Sequence, residues 1–160
     1  MTDKSSHTFF LQRAIDLSRS GSIAGHGGPF GALVVKNGLI VGQGFNQVTL
    51  TNDPSAHAEI VAIRDACKTL GTFQLTGCEI YSSCEPCPMC LGAIYWARPD
   101  KVYFASTRQD AATAGFDDAM IYEEIKLSGE NRKIPMIYIP MKPAKDVFKQ
   151  WALNPENIRY

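Results

Sequence analysis

The hydrophobic and polar positions along this chain predict helices alternating with strands. In two long segments, residues 9–23 and 56–70, apolar side chains recur every three or four residues. That spacing places them on one face of a helix. A glycine marks the end of each pattern, Gly21 in the first segment and Gly71 after the second, and glycine is common at helix C-termini.

A β-hairpin is predicted between these two helices. Asn37 and Gly38 form a pair typical of a two-residue hairpin turn, and they separate two strand-like segments, residues 30–36 and 39–45. The remaining predicted elements are strands at 78–82, 101–106 and 136–139 and helices at 87–97, 118–127 and 144–153. A hairpin followed by alternating elements indicates an α/β fold, which we expect to be a three-layer α/β/α sandwich with a five-stranded mixed sheet.

Length, composition and charge fit one globular domain that acts on a small molecule. The chain has 160 residues and 45% hydrophobic content, which is enough for a substantial core. Lysine plus arginine number 16 and aspartate plus glutamate also number 16. Proteins that bind nucleic acid usually carry a basic excess for phosphate contacts, so we expect no nucleic-acid partner.

The chain also lacks the sequence features of a secreted or membrane protein. We find no apolar stretch long enough for a signal peptide or a membrane-spanning helix. Five cysteines, two of them in a C-x-x-C motif, fit a reducing compartment better than a disulfide framework. We therefore expect a cytoplasmic protein that does not associate with membranes.

Two short motifs predict a catalytic metal site. His57 and Glu59 form a His-x-Glu motif, and Cys87 and Cys90 form a Pro-Cys-x-x-Cys motif. Each motif lies where a helix is predicted to begin, so two helix starts meeting at one point would bring the ligands together. Catalytic zinc takes three protein ligands and keeps one position open for water, whereas structural zinc takes four. We therefore predict zinc on His57, Cys87 and Cys90, with Glu59 beside it to move protons.

The placement of Glu59 depends on where its helix begins. Residues two apart in a regular helix point in different directions, so Glu59 would point away from His57 inside such a helix. We therefore expect the two residues to straddle the first turn, with His57 reaching the metal and Glu59 reaching the space beside it.

Cys84 leaves an alternative open. Cys84, Cys87 and Cys90 contain two overlapping C-x-x-C pairs, so Cys84 as a fourth ligand would close a structural Cys3His site. The corresponding function is a zinc-stabilised binding module without chemistry. Cys84 precedes Pro86 on the predicted turn into the helix, which favours the three-ligand interpretation.

Longer stretches around the motifs carry a family resemblance. They are residues 27–32, 52–59, 83–99 and 114–118, together with the terminal Tyr160. They resemble the bacterial guanine deaminases, members of the cytidine deaminase-like superfamily, whose zinc enzymes carry H-x-E and P-C-x-x-C. The resemblance implies one CMP/dCMP-type deaminase domain over residues 1–160 and one zinc ion per subunit. It also implies hydrolysis of guanine to xanthine and ammonia, a C–N bond hydrolysis of purine catabolism.

The resemblance further implies which residues bind the base. Asn46 matches a purine-binding asparagine, and Asp118 matches an acidic residue that faces the amino edge of guanine. The backbone amide of Ala58 would contact the substrate, while Phe30 and Trp96 would form apolar walls. The alternative interpretation of Asn46 is a turn residue, and that of Asp118 is a helix cap. For the two aromatic residues the alternative is ordinary core packing.

Tyr160 and its neighbours are assigned a role only by the resemblance. In similar guanine deaminases the C-terminal segment crosses to the partner subunit and closes its active site. The resemblance thus implies a homodimer in which residues of about 141–160 are exchanged. A disordered tail is the alternative.

Three other substrates share the zinc motif, namely guanosine, adenosine in tRNA and cytosine. The balanced charge argues against tRNA, and a carboxylate at Asp118 suits the N1–H and amino donors of guanine. Guanine is therefore the first prediction, with guanosine as the nearest alternative.

Overall fold

The structure, a computed structural model, describes residues 4–160, and the chain divides into two compact units. The first unit is Met1–Ala119 and the second is Met120–Tyr160. In the part described, every strand belongs to the first unit.

The first unit begins with a helix and a hairpin and then alternates between helices and strands. Its helices are α1 (Lys4–Ile23), α2 (Val48–Thr51), α3 (Ala58–Leu70), α4 (Pro88–Ala97) and α5 (Arg108–Thr113). Its strands are β1 (Gly31–Lys36), β2 (Leu39–Phe45), β3 (Cys78–Cys84) and β4 (Lys101–Ser106). Between residues 4 and 160, no helix is long and apolar enough to cross a membrane.

The four strands form one mixed sheet in the order β2-β1-β3-β4. Strand β1 runs antiparallel to both β2 and β3, and β3 runs parallel to β4. The predicted hairpin turn is present, because Asn37 and Gly38 have positive φ angles of 52° and 78°, as a type I′ turn requires. The prediction of an α/β fold with a mixed sheet is confirmed.

Alternate residues of β1 face two different cores. Leu33 and Val35 pack with Tyr81 and with side chains of α1. Ala32 and Val34 lie in a second cluster with side chains of α3 and α4. Because successive side chains of a strand point to opposite faces, helices cover both faces of the sheet.

Two glycines of β2 bring α3 close to the sheet. A Cβ atom on Gly44 would lie 2.6 Å from the Ala58 carbonyl oxygen and 2.7 Å from the Ala62 nitrogen. Gly42 approaches the backbone of the same helix near Ala66. Backbone contact of this kind excludes any side chain, so it fixes the distance between β2 and the helix that begins directly after His57.

The prediction of a fifth strand at 136–139 is wrong for the described chain, whose sheet has four strands. Residues 134–139 are apolar, but apolar composition makes a strand only where another strand pairs with it. Pro135 and Pro140 bracket the segment and supply no N–H donor. The Met136 N–H instead bonds to the carbonyl of Gly129 at 2.9 Å, outside any strand pairing.

The second unit contains two helices and a short turn. They are α6 (Ala119–Lys126), whose first residue still belongs to the first unit, a 3-10 turn (Gly129–Asn131) and α7 (Lys142–Leu153), so the two helices predicted here are confirmed. Within the unit, the backbone carbonyl of Glu124 accepts from Arg132 Nε at 3.0 Å, and its carboxylate accepts from the Lys133 N–H at 2.6 Å. Many of its large apolar side chains are nevertheless exposed, including Phe148 at 78%.

Two short helices, α2 and α5, were not predicted. The start of α5 carries a capping box, in which Thr107 Oγ1 accepts from the Asp110 N–H and the Asp110 carboxylate accepts from the Thr107 N–H. A Thr-x-x-Asp sequence is a recognisable start signal, so α5 was detectable from the sequence. The four-residue α2 has no side-chain cap and lacked such a signal.

Candidate active site

The ligand-bearing residues lie at the starts of α3 and α4, which are in contact. His57 directly precedes α3 and Cys87 directly precedes α4, both with extended backbone. Pro88 occupies the first position of α4, where its missing N–H leaves no bond unmade. Cys90, one turn into the helix, is fully buried. The two predicted helix starts therefore do meet.

The three side chains have the spacing of a zinc site. His57 Nδ1 lies 3.6 Å from Cys87 Sγ and 3.5 Å from Cys90 Sγ, and all three ligand atoms fall within 4.8 Å of one another. Zinc bonds of about 2.0 Å to nitrogen and about 2.3 Å to sulfur, at a tetrahedral angle, separate N from S by about 3.5 Å. The cluster thus has the dimensions of three corners of a zinc tetrahedron.

Cys84 does not join this cluster. Its Sγ donates instead to the carbonyl of Thr107 at 3.5 Å, and burial raises the pKa of the thiol to about 11. Among the described residues, the atoms that could hold one metal ion together are those of His57, Cys87 and Cys90, and Cys84 is not one of them. This geometry favours the open three-ligand site over the closed Cys3His alternative.

The two cysteines of the cluster differ in their affinity for protons. A hydrogen bond from the Cys90 thiol lowers the pKa of Cys87 to about 4, and the same bond raises the pKa of Cys90. The pKa of His57 is raised chiefly by its hydrogen bond with Cys87. Cys87 is therefore predisposed to bind a metal as a thiolate.

Glu59 reaches the same space from the first turn of α3. Its side chain is 5% exposed, and burial is the main cause that raises the pKa of its carboxyl. Oε2 lies 3.4 Å from Cys90 Sγ, on the side of the metal ligands. The prediction that His57 and Glu59 straddle the helix start is confirmed, since His57 is the N-cap and Glu59 the second helical residue.

Ser82 contacts Glu59 and was not singled out from the sequence. Its Oγ donates to Glu59 Oε1 at 3.2 Å, and both groups are buried. The available signal was its position inside the apolar strand β3, because a buried hydroxyl there needs a hydrogen-bond partner. Nothing in the spacing of the chain identified that partner as Glu59.

The side-chain oxygen of Asn46 stabilises a turn, and its amide nitrogen faces the other way. Its Oδ1 accepts from the N–H groups of Gly28 and Val48, at 3.3 and 3.2 Å. These donors fix the orientation of the amide, so Nδ2 points to the other side and offers its N–H groups there. The turn interpretation is therefore correct, and it leaves the binding interpretation open.

Asp117 bonds to the first residue of the following helix. Its Oδ1 accepts from the Ala119 N–H at 2.9 Å. The pKa of Asp118 is raised by burial and, secondarily, by the charge of Cys87. Asp118 directly precedes α6, and its role in binding the base stays a prediction.

The remaining predicted binding residues differ in their surroundings. Phe30 packs edge-to-face on Phe116, with ring centroids 5.0 Å apart. Ala58 is buried at the first position of α3, where the N–H groups of a helix lack internal partners.

Trp96 and Tyr160 are exposed within the chain. Trp96 is 65% exposed and follows Cys90 by six residues on α4, which places it about 9 Å along the helix axis and on another face. Tyr160 lies in the second unit and is 70% exposed there. Their assignments to the base-binding site stay predictions.

The chain matches the model of a known protein family. Residues 4–106, more than half of the chain, match the model of the cytidine and deoxycytidylate deaminase zinc-binding region. The chain belongs to the cytidine and deoxycytidylate deaminase family. The matched region of this deaminase contains His57, Glu59, Cys87 and Cys90, so the cluster lies in the part that defines a zinc-binding domain.

Relatives of this deaminase include enzymes with different substrates. Guanine deaminase of Bacillus subtilis (strain 168) is 54% identical over 145 residues, covering 91% of this chain and 93% of that protein. An X-ray structure of guanine deaminase from Bacillus subtilis has a TM-score of 0.94 at 52% identity, covering 96% and 98% of the two chains. A tRNA-specific adenosine deaminase of Aquifex aeolicus (strain VF5) is 35% identical over 125 residues, covering 77% and 79%.

The three-ligand site predicts that single cysteine substitutions have unequal effects on zinc. Cys87→Ala should weaken zinc binding beyond the roughly 10- to 100-fold that loss of a supporting residue costs. Cys84→Ala should retain the wild-type zinc content, because Cys84 faces the Thr107 carbonyl. Zinc in dialysed protein is measured by inductively coupled plasma mass spectrometry. Equal zinc loss in both variants would contradict the open site.

Proposed function

We propose that this deaminase hydrolyses guanine to xanthine and ammonia. The observation that carries the proposal is the buried carboxylate of Glu59 beside a cluster of three zinc-type ligands. Identity of 54% to a guanine deaminase, over 91% of this chain, supports guanine as the base.

The donor set supports Zn²⁺ as the cofactor, and we propose one ion per subunit. Two sulfur atoms and one imidazole nitrogen at the observed spacing suit a tetrahedral ion and leave one corner for a water molecule. When bound, the ion lowers the pKa of such a water to about 7, which supplies a nucleophile at neutral pH.

Glu59 performs the proton transfers in this proposal. Its carboxylate takes a proton from the attacking water and delivers it to a ring nitrogen, N3, which makes C2 of guanine more electrophilic. The same group then assists proton transfer to the departing amine. Burial supports both roles, because a carboxyl with a raised pKa accepts and releases protons closer to the working pH.

Four residues of the first unit are proposed to hold the base. The amide nitrogen of Asn46 and the Ala58 N–H offer donors to acceptors of the ring, and Phe30 offers an apolar face. Asp118 accepts from the N1–H and the amino group of guanine. Adenine presents an acceptor at N1, so a carboxylate there disfavours it.

We propose a homodimer in which residues 141–160 of each subunit complete the partner's site. Exposed apolar side chains support an interface, because monomeric proteins rarely leave large apolar patches open. On α4 and β4 these include Tyr95, Trp96 and Phe104, and in the second unit they include Ile137 and Phe148. Trp96 and Tyr160 would then bind the base in the assembled dimer.

The remaining organisation is proposed on the same grounds. Residues 1–160 act as one deaminase domain, and helices on both faces of the sheet form a three-layer sandwich. We propose a cytoplasmic location, as the cysteine usage favours a reducing compartment.

A substrate panel tests the proposed reaction. Purified protein incubated separately with guanine, guanosine, adenine, cytosine and a tRNA anticodon stem should release ammonia chiefly from guanine. Glu59→Gln is the matched control, since glutamine keeps the shape and the hydrogen bond from Ser82 but transfers no proton. It should retain zinc while turnover falls by about 10²- to 10⁴-fold. Release from guanosine or tRNA, and not from guanine, would overturn the proposal.

Mixed dimers test whether the C-terminal segment acts on the partner subunit. Deleting residues 157–160 should lower turnover of guanine, as should Glu59→Gln. Co-expression of the two inactive variants should restore about a quarter of wild-type activity, because half of the randomly formed dimers contain one intact site. A segment that acts on its own subunit restores none, and a deletion without effect excludes any role for Tyr160.

A further inference from the structure

Ser82 is held rigidly on an inner strand of the sheet. It pairs with Ala32 of β1 on one side and with Phe104 of β4 on the other, and its side chain is 1% exposed. Two backbone ladders therefore fix the position of its Oγ. A group supported by paired strands is held more precisely than one on a loop.

The direction of its hydrogen bond is set by its neighbours. The Cys84 N–H lies 3.5 Å from Ser82 Oγ and is able only to donate. The hydroxyl proton of Ser82 is thus available to Glu59 Oε1, at 3.2 Å, and a carboxylate only accepts. Hydrogen bonds to charged groups are stronger than those between neutral groups.

The two oxygens of Glu59 consequently have different surroundings. Oε1 is bound to Ser82, while Oε2 lies 3.4 Å from Cys90 Sγ and faces the metal ligands. A carboxylate is planar, so fixing one oxygen also fixes the other. Without such a hydrogen bond, a glutamate carboxylate samples a broad range of orientations, because its terminal torsion has no sharp energy minimum.

We propose that Ser82 is a positioning residue for the reaction, one that orients Glu59 so that Oε2 faces the water and the base. This inference rests on the proposed function. Ser82 itself touches neither substrate nor metal in this role. Its contribution lies in keeping the proton-transferring oxygen in one orientation, so its loss should slow turnover without weakening the binding of zinc or guanine.

Ser82→Ala and Ser83→Ala form a matched pair for the test. Ser83 is also buried on β3, but its Oγ accepts from the Gly31 N–H at 3.0 Å and does not contact Glu59. Ser82→Ala should lower kcat for guanine roughly 10- to 100-fold, the value of one hydrogen bond to a charged group. KM, zinc content and the melting temperature should match those of Ser83→Ala, whose kcat stays near wild type. Equal kcat in the two variants would overturn the proposal.

A second pair of variants tests the same role if Ser82→Ala disturbs folding. Ser82→Thr and Ser82→Val introduce side chains of the same shape, and only threonine carries the hydroxyl. The threonine variant should exceed the valine variant in kcat by about tenfold or more. Similar kcat values for both would count against a role for the hydroxyl.

Crystal structures of zinc-loaded wild type and Ser82→Ala separate this inference from the proposed substrate. In the variant the Glu59 carboxylate should rotate away from its wild-type position, whichever base is hydrolysed. If guanine is not a substrate, kcat is compared on the base that the wild-type enzyme does deaminate. A carboxylate that keeps its position in Ser82→Ala refutes the positioning role even where guanine is turned over.

Discussion

The close approach of two helix N-termini is the constraint on which the site depends. His57 and Cys87 each occupy the residue before a helix, so small shifts of α3 or α4 would separate ligands that now lie 3.6 Å apart. Gly44 supports this geometry from β2, because its missing side chain lets the start of α3 reach the strand. Because a protein interior is close-packed, a shift of one element moves its neighbours. The spacing of the ligands therefore depends on how the whole fold packs.

The same elements carry the carboxylate that we propose for proton transfer and the hydroxyl that we propose orients it. The first turn of α3 carries Glu59 two residues beyond His57, and the inner strand β3 presents Ser82 to its far oxygen. The candidate ligands, the proposed proton carrier and the proposed positioning hydroxyl therefore come from α3, α4 and β3 or from the residues directly before the two helices. Catalysis by an oriented carboxylate needs this rigidity, since misplacement by about 1 Å is costly to rate.

Features governed by local chemistry were predictable from the sequence, and those governed by distant partners were not. Metal coordination restricts ligand type and spacing, so His57, Cys87 and Cys90 were identifiable together, and Asn37-Gly38 marked the hairpin. The apolar composition of residues 136–139 predicts a strand. A strand forms only beside another strand that pairs with it, and the sequence does not reveal whether one is present. The contact of Ser82 was not predictable for the same reason, because its hydrogen-bond partner, Glu59, lies 23 residues away in the sequence.

X-ray absorption at the zinc edge, on the wild-type protein in solution, tests the three-ligand site most directly. We expect two sulfur neighbours at about 2.3 Å and two nitrogen or oxygen neighbours at about 2.0 Å, the latter being His57 and a water. Addition of a substrate analogue should perturb the shell of light atoms and leave the sulfur shell unchanged. Three sulfur neighbours and a single nitrogen, unaffected by the analogue, would show a closed structural site and contradict the three-ligand arrangement.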